Sequence, residues 1–128
     1  METPKKRNVW IGRIVTGAPV LFLAWDVAMK LVGSRFVDEA SIRLGLPVSI
    51  APVLGVVLLA CLALYLVPRT AVIGAVLTTG YLGGAVLAHL RIDDPLASHT
   101  FFPIYIGTLL WTGLYLRDAR VRNLIAAR

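Results

Sequence analysis

The sequence predicts an all-α integral membrane protein: a four-helix bundle with a short interfacial helix between its first and second spans. Three observations carry that expectation. Hydrophobic residues make up 58% of the 128-residue chain and charged residues 16%, with a mean hydropathy of +0.79, whereas a soluble domain devotes about a quarter of its residues to charge. The apolar residues fall in four long blocks, and the charges gather mainly in the connections and at the chain ends. The blocks are continuous, which suits helices; strands of a membrane barrel alternate over segments of roughly ten residues.

The chain, residues 1–128, reads as a single domain. Its first span covers 9–31, interrupted by Arg13, Asp26 and Lys30. That stretch is too long and too polar at its far end for the apolar region of a cleaved signal peptide. No Ala-x-Ala-type cleavage pattern follows, so a permanent helix is expected. In the connection 32–48, Phe36, Val37, Ala40 and Leu44 fall close to one helical face, with Asp38, Glu39 and Arg43 elsewhere, before Gly45 and Pro47 end the pattern. This is the expected short amphipathic helix, lying on the outer interface or folded over the bundle mouth. The second span, 49–67, carries no charge and stops at Pro68-Arg69, and the third, 70–90, is uncharged apart from protonation of His89. The fourth, 101–116, is shortest and opens beside Pro103, which a first helical turn tolerates. Crossing a hydrocarbon core takes about 20 residues, so the fourth span needs help from its flanks.

The net charge of +6 and pI near 10.1 raise the question of nucleic acid, and the placement of the charges answers it. Lys5, Lys6, Arg7, Arg13, Arg69, Arg117, Arg120, Arg122 and Arg128 fall on one side of the four spans, and Lys30, Arg35, Arg43 and Arg91 on the other. Basic residues flanking apolar spans answer to topology and anionic lipid head groups, so no nucleic-acid partner is expected. The positive-inside rule puts both termini in the cytoplasm, and Asp38, Glu39, Asp93 and Asp94 in outer loops. Trp10, Trp25, Trp111, Tyr65, Tyr105 and Tyr115, mostly toward span ends, are expected mainly as interfacial anchors.

Depth along each helix follows from the rise of about 1.5 Å per residue. Asp26 lies roughly 18–26 Å across the core, and His89 and His99 at roughly 26–27 Å on their own segments. Lys30 sits one turn beyond Asp26, at a spacing that lets the two side chains meet. Glu39, Arg43, Arg91, Asp93 and Asp94 are near enough in topology to close over this layer. An intramembrane carboxylate costs about 2.5–3.5 kcal/mol on insertion scales, so Asp26 is the leading candidate for function. Two readings of it stand side by side: a contact with a ligand or proton, or an Asp26–Lys30 pair that snorkels to the interface and ends the helix. His89 likewise reads either as a site residue or as an interfacial hydrogen-bonding group. No spacing suggests a metal site.

In the third span, Gly80-Tyr81-Leu82-Gly83-Gly84-Ala85 is the most distinctive string. Gly80, Gly83 and Gly84 are expected to admit a neighbouring helix backbone, as small-xxx-small pairs do. Tyr81, Ala85 and His89 recur every four residues on one stripe, which also suits a narrow slot for a flat ligand. Cys61, the one cysteine, excludes an intrachain disulfide and a Cys-x-x-Cys redox centre. There is no phosphate loop, nucleophile elbow, haem motif or iron–sulfur motif.

The chain as a whole resembles the DoxX-like family of small four-helix bacterial membrane proteins, from about Arg13 to Arg122. The resemblance rests on Trp25-Asp26-Val27-Ala28-Met29-Lys30, on Leu64-Tyr65-Leu66-Val67-Pro68-Arg69-Thr70-Ala71, on Thr79-Gly80-Tyr81-Leu82-Gly83-Gly84-Ala85 through His89-Leu90-Arg91, and on Leu110-Trp111-Thr112-Gly113-Leu114-Tyr115-Leu116-Arg117-Asp118. It implies a bacterial inner-membrane protein near quinone or thiol redox chemistry, the family name coming from a subunit linked to thiosulfate:quinone oxidoreductase. With one cysteine and no electron carrier of its own, this chain would borrow electrons from a bound lipid-soluble carrier or a partner, and independent catalysis is not expected.

The leading expectation is therefore a redox-associated protein that binds a hydrophobic small molecule such as quinone at the outer end of the bundle. Asp26, Lys30, Tyr81, His89 and Arg91 would supply its contacts or a proton path, with no intrinsic cofactor. Its expected partners are membrane lipid, quinone, and a redox protein or second copy of the chain. The alternatives are a non-enzymatic scaffold assembled through the glycine-rich helix face, and a small membrane-embedded lyase, isomerase or transporter using Asp26 as acid or base.

Overall fold

The computed structural model describes residues 6–126, and every regular element among them is helical. In chain order these are α1 (Lys6–Val32), α2 (Arg35–Leu44), α3 (Ala51–Leu66), α4 (Ala71–Arg91), α5 (Phe102–Arg117) and α6 (Ala119–Ala126). A 3-10 turn, Val48–Ile50, leads into α3, and a π-helical turn, Leu96–Thr100, leads into α5. Helices thus stand at the positions of the four expected spans, as α1, α3, α4 and α5, and the short helix returns as α2. Lys5 and Arg128, used in the charge count, lie outside the described residues. Helix α6 was not anticipated; its short amphipathic pattern is held by Val121, which is buried in the core.

Helices α1, α3, α4 and α5 close into a ring, α1 packing against α3 and α5, and α4 against the same two neighbours. Between them lies a core of Leu23, Val27, Leu58, Leu62, Tyr65, Leu82, Ile106, Leu110 and Leu114. The outward faces are as apolar as the core: Ile14, Leu21, Val53, Val56, Ile73, Val76 and Leu87 are all exposed. A girdle of that extent would aggregate in water and is satisfied by lipid. Val9–Val32, Val48–Leu66 and Ala71–Arg91 are each long and apolar enough to cross a membrane. The 16 residues of α5 rise only about 24 Å, and the π-helical turn Leu96–Thr100 stands directly before them. This is a helical membrane protein.

Two residue sets fall differently from the sequence reading. Tyr65 is no interfacial anchor: it is fully buried and donates its hydroxyl to the Leu110 carbonyl at 2.6 Å, since a phenol inside a bundle must find an acceptor. Nor do Gly80, Gly83 and Gly84 press against another helix of the chain; a Cβ added at any of them would meet nothing within 4 Å. Close approach happens at other glycines. A Cβ on Gly74 would stand 2.2 Å from the Tyr65 backbone nitrogen, and one on Gly12 2.8 Å from the Gly113 carbonyl oxygen, so these residues set the α3–α4 and α1–α5 crossings.

Backbone atoms cannot move aside as side-chain tips do. Gly74→Ala is therefore expected to destabilise the bundle by about 2–3 kcal/mol, while Gly83→Ala stays within about 1 kcal/mol of the parent. Thermal unfolding of the two variants in one detergent checks this, and equal midpoints would refute the assignment of the crossing to Gly74.

Candidate functional site

The polar groups of the bundle form two clusters at the end covered by α2. The inner one begins on α1, where Asp26 and Lys30 lie four residues apart and their side chains pair. The ammonium also donates to the Tyr81 hydroxyl on α4 at 3.0 Å. Lys30 thereby links two helices that stand on opposite sides of the ring. Its three N–H donors meet a carboxylate and a phenol oxygen, which leaves the third donor and the Tyr81 hydroxyl proton without a protein acceptor among the described residues.

The outer cluster centres on Asp94, in the turn after α4. This turn passes through the left-handed region at Asp93, with φ of 57°, and the Asp94 amide donates back to the His89 carbonyl at 3.2 Å. The buried Asp94 carboxylate accepts from Arg43 of α2 through both terminal nitrogens, at 2.5 and 3.1 Å, and lies 2.5 Å from His89 Nδ1. Its backbone carbonyl accepts from the buried Thr100 hydroxyl at 3.2 Å. Arg43 above all, and His89 after it, hold the Asp94 carboxyl down at about 2. One residue thus ties α2 and α4 through its carboxylate and the turn into α5 through its backbone carbonyl.

Helix α2 is shaped to lie over this end. Ser34 caps its start by accepting from the Phe36 amide at 3.2 Å, and Gly45 ends it in the left-handed conformation, φ 76°; a glycine adopts that geometry without strain. Val37 and Ser41 are buried beneath it, while Arg35 and Glu39 pair at 3.3 Å on its exposed side. Arg91 donates to the Leu44 carbonyl at the C-terminus of α2, a favourable place for a cation.

Beneath α2 lies a cavity of about 560 Å³. Asp26, Lys30, Tyr81 and His89, four of the five residues singled out from sequence, all line it. The fifth, Arg91, is not among the lining residues; it fastens α2 instead, because it lies beyond His89 at the last position of α4. Phe22, Phe36, Phe102, Leu54 and Ile106 give the cavity apolar walls, and Gly80 and Gly84 lie along it. These glycines therefore contribute open volume in place of the helix contact expected of them. His99 stays outside, its ring 6.3 Å from that of His89 and its Nδ1 engaged by Ser98 at 2.8 Å. Among the described residues no group of three His, Cys, Asp or Glu gathers to hold a metal ion.

Asp94 is the residue whose weight the sequence does not show. The sequence places it in an outer loop near the layer, whereas its burial depends on Arg43, 51 positions away. A signal existed in Asp93-Asp94-Pro95 five residues after His89, a turn-forming string beside a ring nitrogen that needs a partner.

The sequence model of the DoxX-like family matches residues 14–113, from α1 almost to the end of α5 and including both clusters. No curated protein and no solved structure matches the chain.

Because Asp94 titrates below its ordinary value of 3.8 in the folded protein, its ionised form favours folding. The contribution is present above pH 3.8 and disappears as the pH falls through about 2. The stability difference between the parent and Asp94→Asn is accordingly expected to narrow across that acid window. Thermal midpoints of both proteins from pH 5 to pH 2, roughly the interval bracketing the two values, check this; a gap that widens on acidification contradicts it.

Proposed function

We propose that this chain, which belongs to the DoxX-like family, binds a neutral, flat, apolar carbonyl compound of the quinone class in the cavity beneath α2, as a redox-associated membrane protein. The observation that carries this reading is the convergence of Asp26, Lys30, Tyr81 and His89 on one apolar-walled cavity. A volume of about 560 Å³ falls within the usual range for small-molecule sites, with a few polar groups set among aromatic walls. Two unused donors, on Lys30 and Tyr81, suit a carbonyl oxygen. The charges argue for a neutral ligand: Asp26 offsets Lys30, and Asp94 offsets Arg43, so an anion or cation would arrive without compensation in a medium that penalises it.

Reduction of a bound quinone to its quinol takes up two electrons and two protons. The electrons would come from a redox partner protein, since the single thiol, Cys61, is buried and unpaired. Protons could pass through Asp26 or His89, a carboxylate and an imidazole that line the same space. The distribution of basic residues supports placement in a bacterial inner membrane with both termini cytoplasmic and α2 on the outer side.

A second reading, a partner helix seated on the outside of α4, is favoured by one observation. A groove of about 430 Å³ runs along α4 and α5 past Gly83, Gly107 and Thr108, where Trp111 Nε1 donates to the Thr79 hydroxyl at 2.7 Å. Loss of assembly in Gly83→Leu, with ligand binding intact, would favour that reading.

Trp25 packs against Phe22 and Phe36, both lining the cavity, at ring separations of 6.1 and 6.2 Å. A short-chain ubiquinone analogue added to the purified protein should therefore quench tryptophan fluorescence saturably. Gly84→Leu, which places a side chain in open space, is expected to weaken that binding by about tenfold or more, roughly 1.4 kcal/mol, without unfolding the bundle. Absence of saturable binding by the parent protein would remove the quinone reading. For the orientation, a C-terminal reporter enzyme active only outside the cytoplasm should be silent; an active fusion reverses the topology.

A further inference from the structure

The hydrogen-bonding inventory of the cavity differs between its two ends. Toward the middle of the bundle it offers donors, the third N–H of Lys30 and the hydroxyl of Tyr81, as described above. Eight residues along α4 from Tyr81, about 12 Å by helical rise, stands His89. Its Nδ1 faces the Asp94 carboxylate at 2.5 Å. A carboxylate that also receives two N–H groups from Arg43 can only accept, so His89 Nδ1 must carry the proton that fills this bond. In the neutral ring that leaves Nε2 with its lone pair, and among the described residues no protein group engages it. Arg43 and His89 keep the Asp94 carboxyl at about 2, so its acceptor role persists throughout the neutral range.

We infer that Asp94, clamped by Arg43, is a positioning residue that fixes His89 as a hydrogen-bond acceptor at the α2 end of the cavity. The site then selects a neutral ligand with a carbonyl at its inner end and a hydroxyl donor at its outer end. This inference rests on the cavity being the ligand site, and it adds a preference that a plain diketone quinone does not satisfy: the ligand that binds most tightly offers a donor as well as an acceptor. A hydroxylated quinone or a hydroxyaryl ketone meets it. Asp94 itself touches no ligand in this scheme and acts through the imidazole, choosing which nitrogen carries the proton.

Substitution by asparagine turns that choice over. Arg43 has only donors, so it takes the amide oxygen of the Asp94→Asn side chain, and the amide nitrogen then faces His89 Nδ1. Nδ1 must become the acceptor, and Nε2 the donor. The variant keeps the size of the side chain and one of the two bonds from Arg43, the one that Oδ1 accepts in the parent, yet reverses what the cavity presents to a ligand.

Three compounds of nearly one shape read this out in the full-length protein in detergent or nanodiscs: benzophenone, 4-hydroxybenzophenone and 4-methoxybenzophenone. All carry the carbonyl, and only the second carries a donor at its far end. With the parent protein the hydroxyl compound should bind about five- to tenfold more tightly than the methoxy compound, the size expected of one buried hydrogen bond. In His89→Ala the ratio should fall to near one. In Asp94→Asn it should fall to one or invert, because the donor and acceptor nitrogens of the imidazole exchange roles. A merely structural role for Asp94 would weaken all three compounds together. Should Asp94→Asn fail to fold, the imidazole nitrogen chemical shifts of His89 in the parent protein still read the proton's position: a proton on Nδ1 is expected, and a neutral ring with its proton on Nε2 overturns the inference. If benzophenone binds and the parent shows no hydroxyl preference, or shows one that His89→Ala leaves unmoved, this inference is overturned while the cavity reading stands. If none of the three binds saturably this inference falls, and if the ubiquinone analogue does not bind either, the cavity reading falls with it.

Discussion

A charge placed in a membrane helix has to find its counter-charge within reach, and in this protein that constraint is met by Lys30. It pairs with Asp26 one turn earlier and reaches the Tyr81 hydroxyl on a helix across the ring. Insertion scales put the cost of such groups at the helix centre at about 2.5–3.5 kcal/mol each, and the pairing offsets the part of that cost that remains at this end of α1. The pair faces a compartment whose apolar walls are supplied by Phe22, Phe102 and Ile106. Removal of one partner leaves a buried charge uncompensated, which is costlier than losing both.

Above that pair, Asp94 performs a second neutralisation with a different consequence. Arg43 belongs to a helix that does not span the bundle, and its bidentate bond to Asp94 is what fastens that helix over the cavity. Arg91 reinforces the closure from α4 by bonding the last carbonyl of α2. The covering helix thus rests on directional polar contacts more than on apolar burial, its buried residues being Val37 and Ser41. Directional contacts can be broken and remade singly, so the roof is less firmly held than the four-helix wall around Leu58, Tyr65 and Leu110.

Glycine serves two physical purposes here. At Gly12, Gly74 and Gly113 the missing side chain lets backbones meet, and a Cβ at any of them would lie at or below 3.0 Å from a neighbouring atom. At Gly80 and Gly84 it leaves room along the cavity wall. Spacing along the chain does not separate these cases. Gly80 and Gly84 have the four-residue interval typical of a packing motif, yet their face of α4 looks across the bundle at Lys30, where polar side chains bridge the distance that a packed helix would have filled.

The sequence by itself determined the spans, the placement of α2 between the first two of them, and four of the residues that line the cavity, because each depends on local quantities. Continuous apolar length dictates a spanning helix, a change of pattern at Phe36 to Leu44 dictates an amphipathic one, and a rise of about 1.5 Å per residue places Asp26 and His89 toward the same end of the bundle, though in two clusters and not in one layer. The family resemblance was legible on the same local strings. Depth, however, is one coordinate of three. Which way Tyr81 faces, whether Gly80 meets a helix or a void, and why Tyr65 is buried near a span end all depend on rotation about the helix axes, and only tertiary packing fixes that rotation. Asp94 is the clearest instance: as one of two adjacent acids before a proline it looks like solvated loop, and it becomes the centre of a cluster only when Arg43 and His89 converge on it from α2 and α4. A carboxylate's role follows from what reaches it, and what reaches Asp94 comes in part from the far side of two membrane spans.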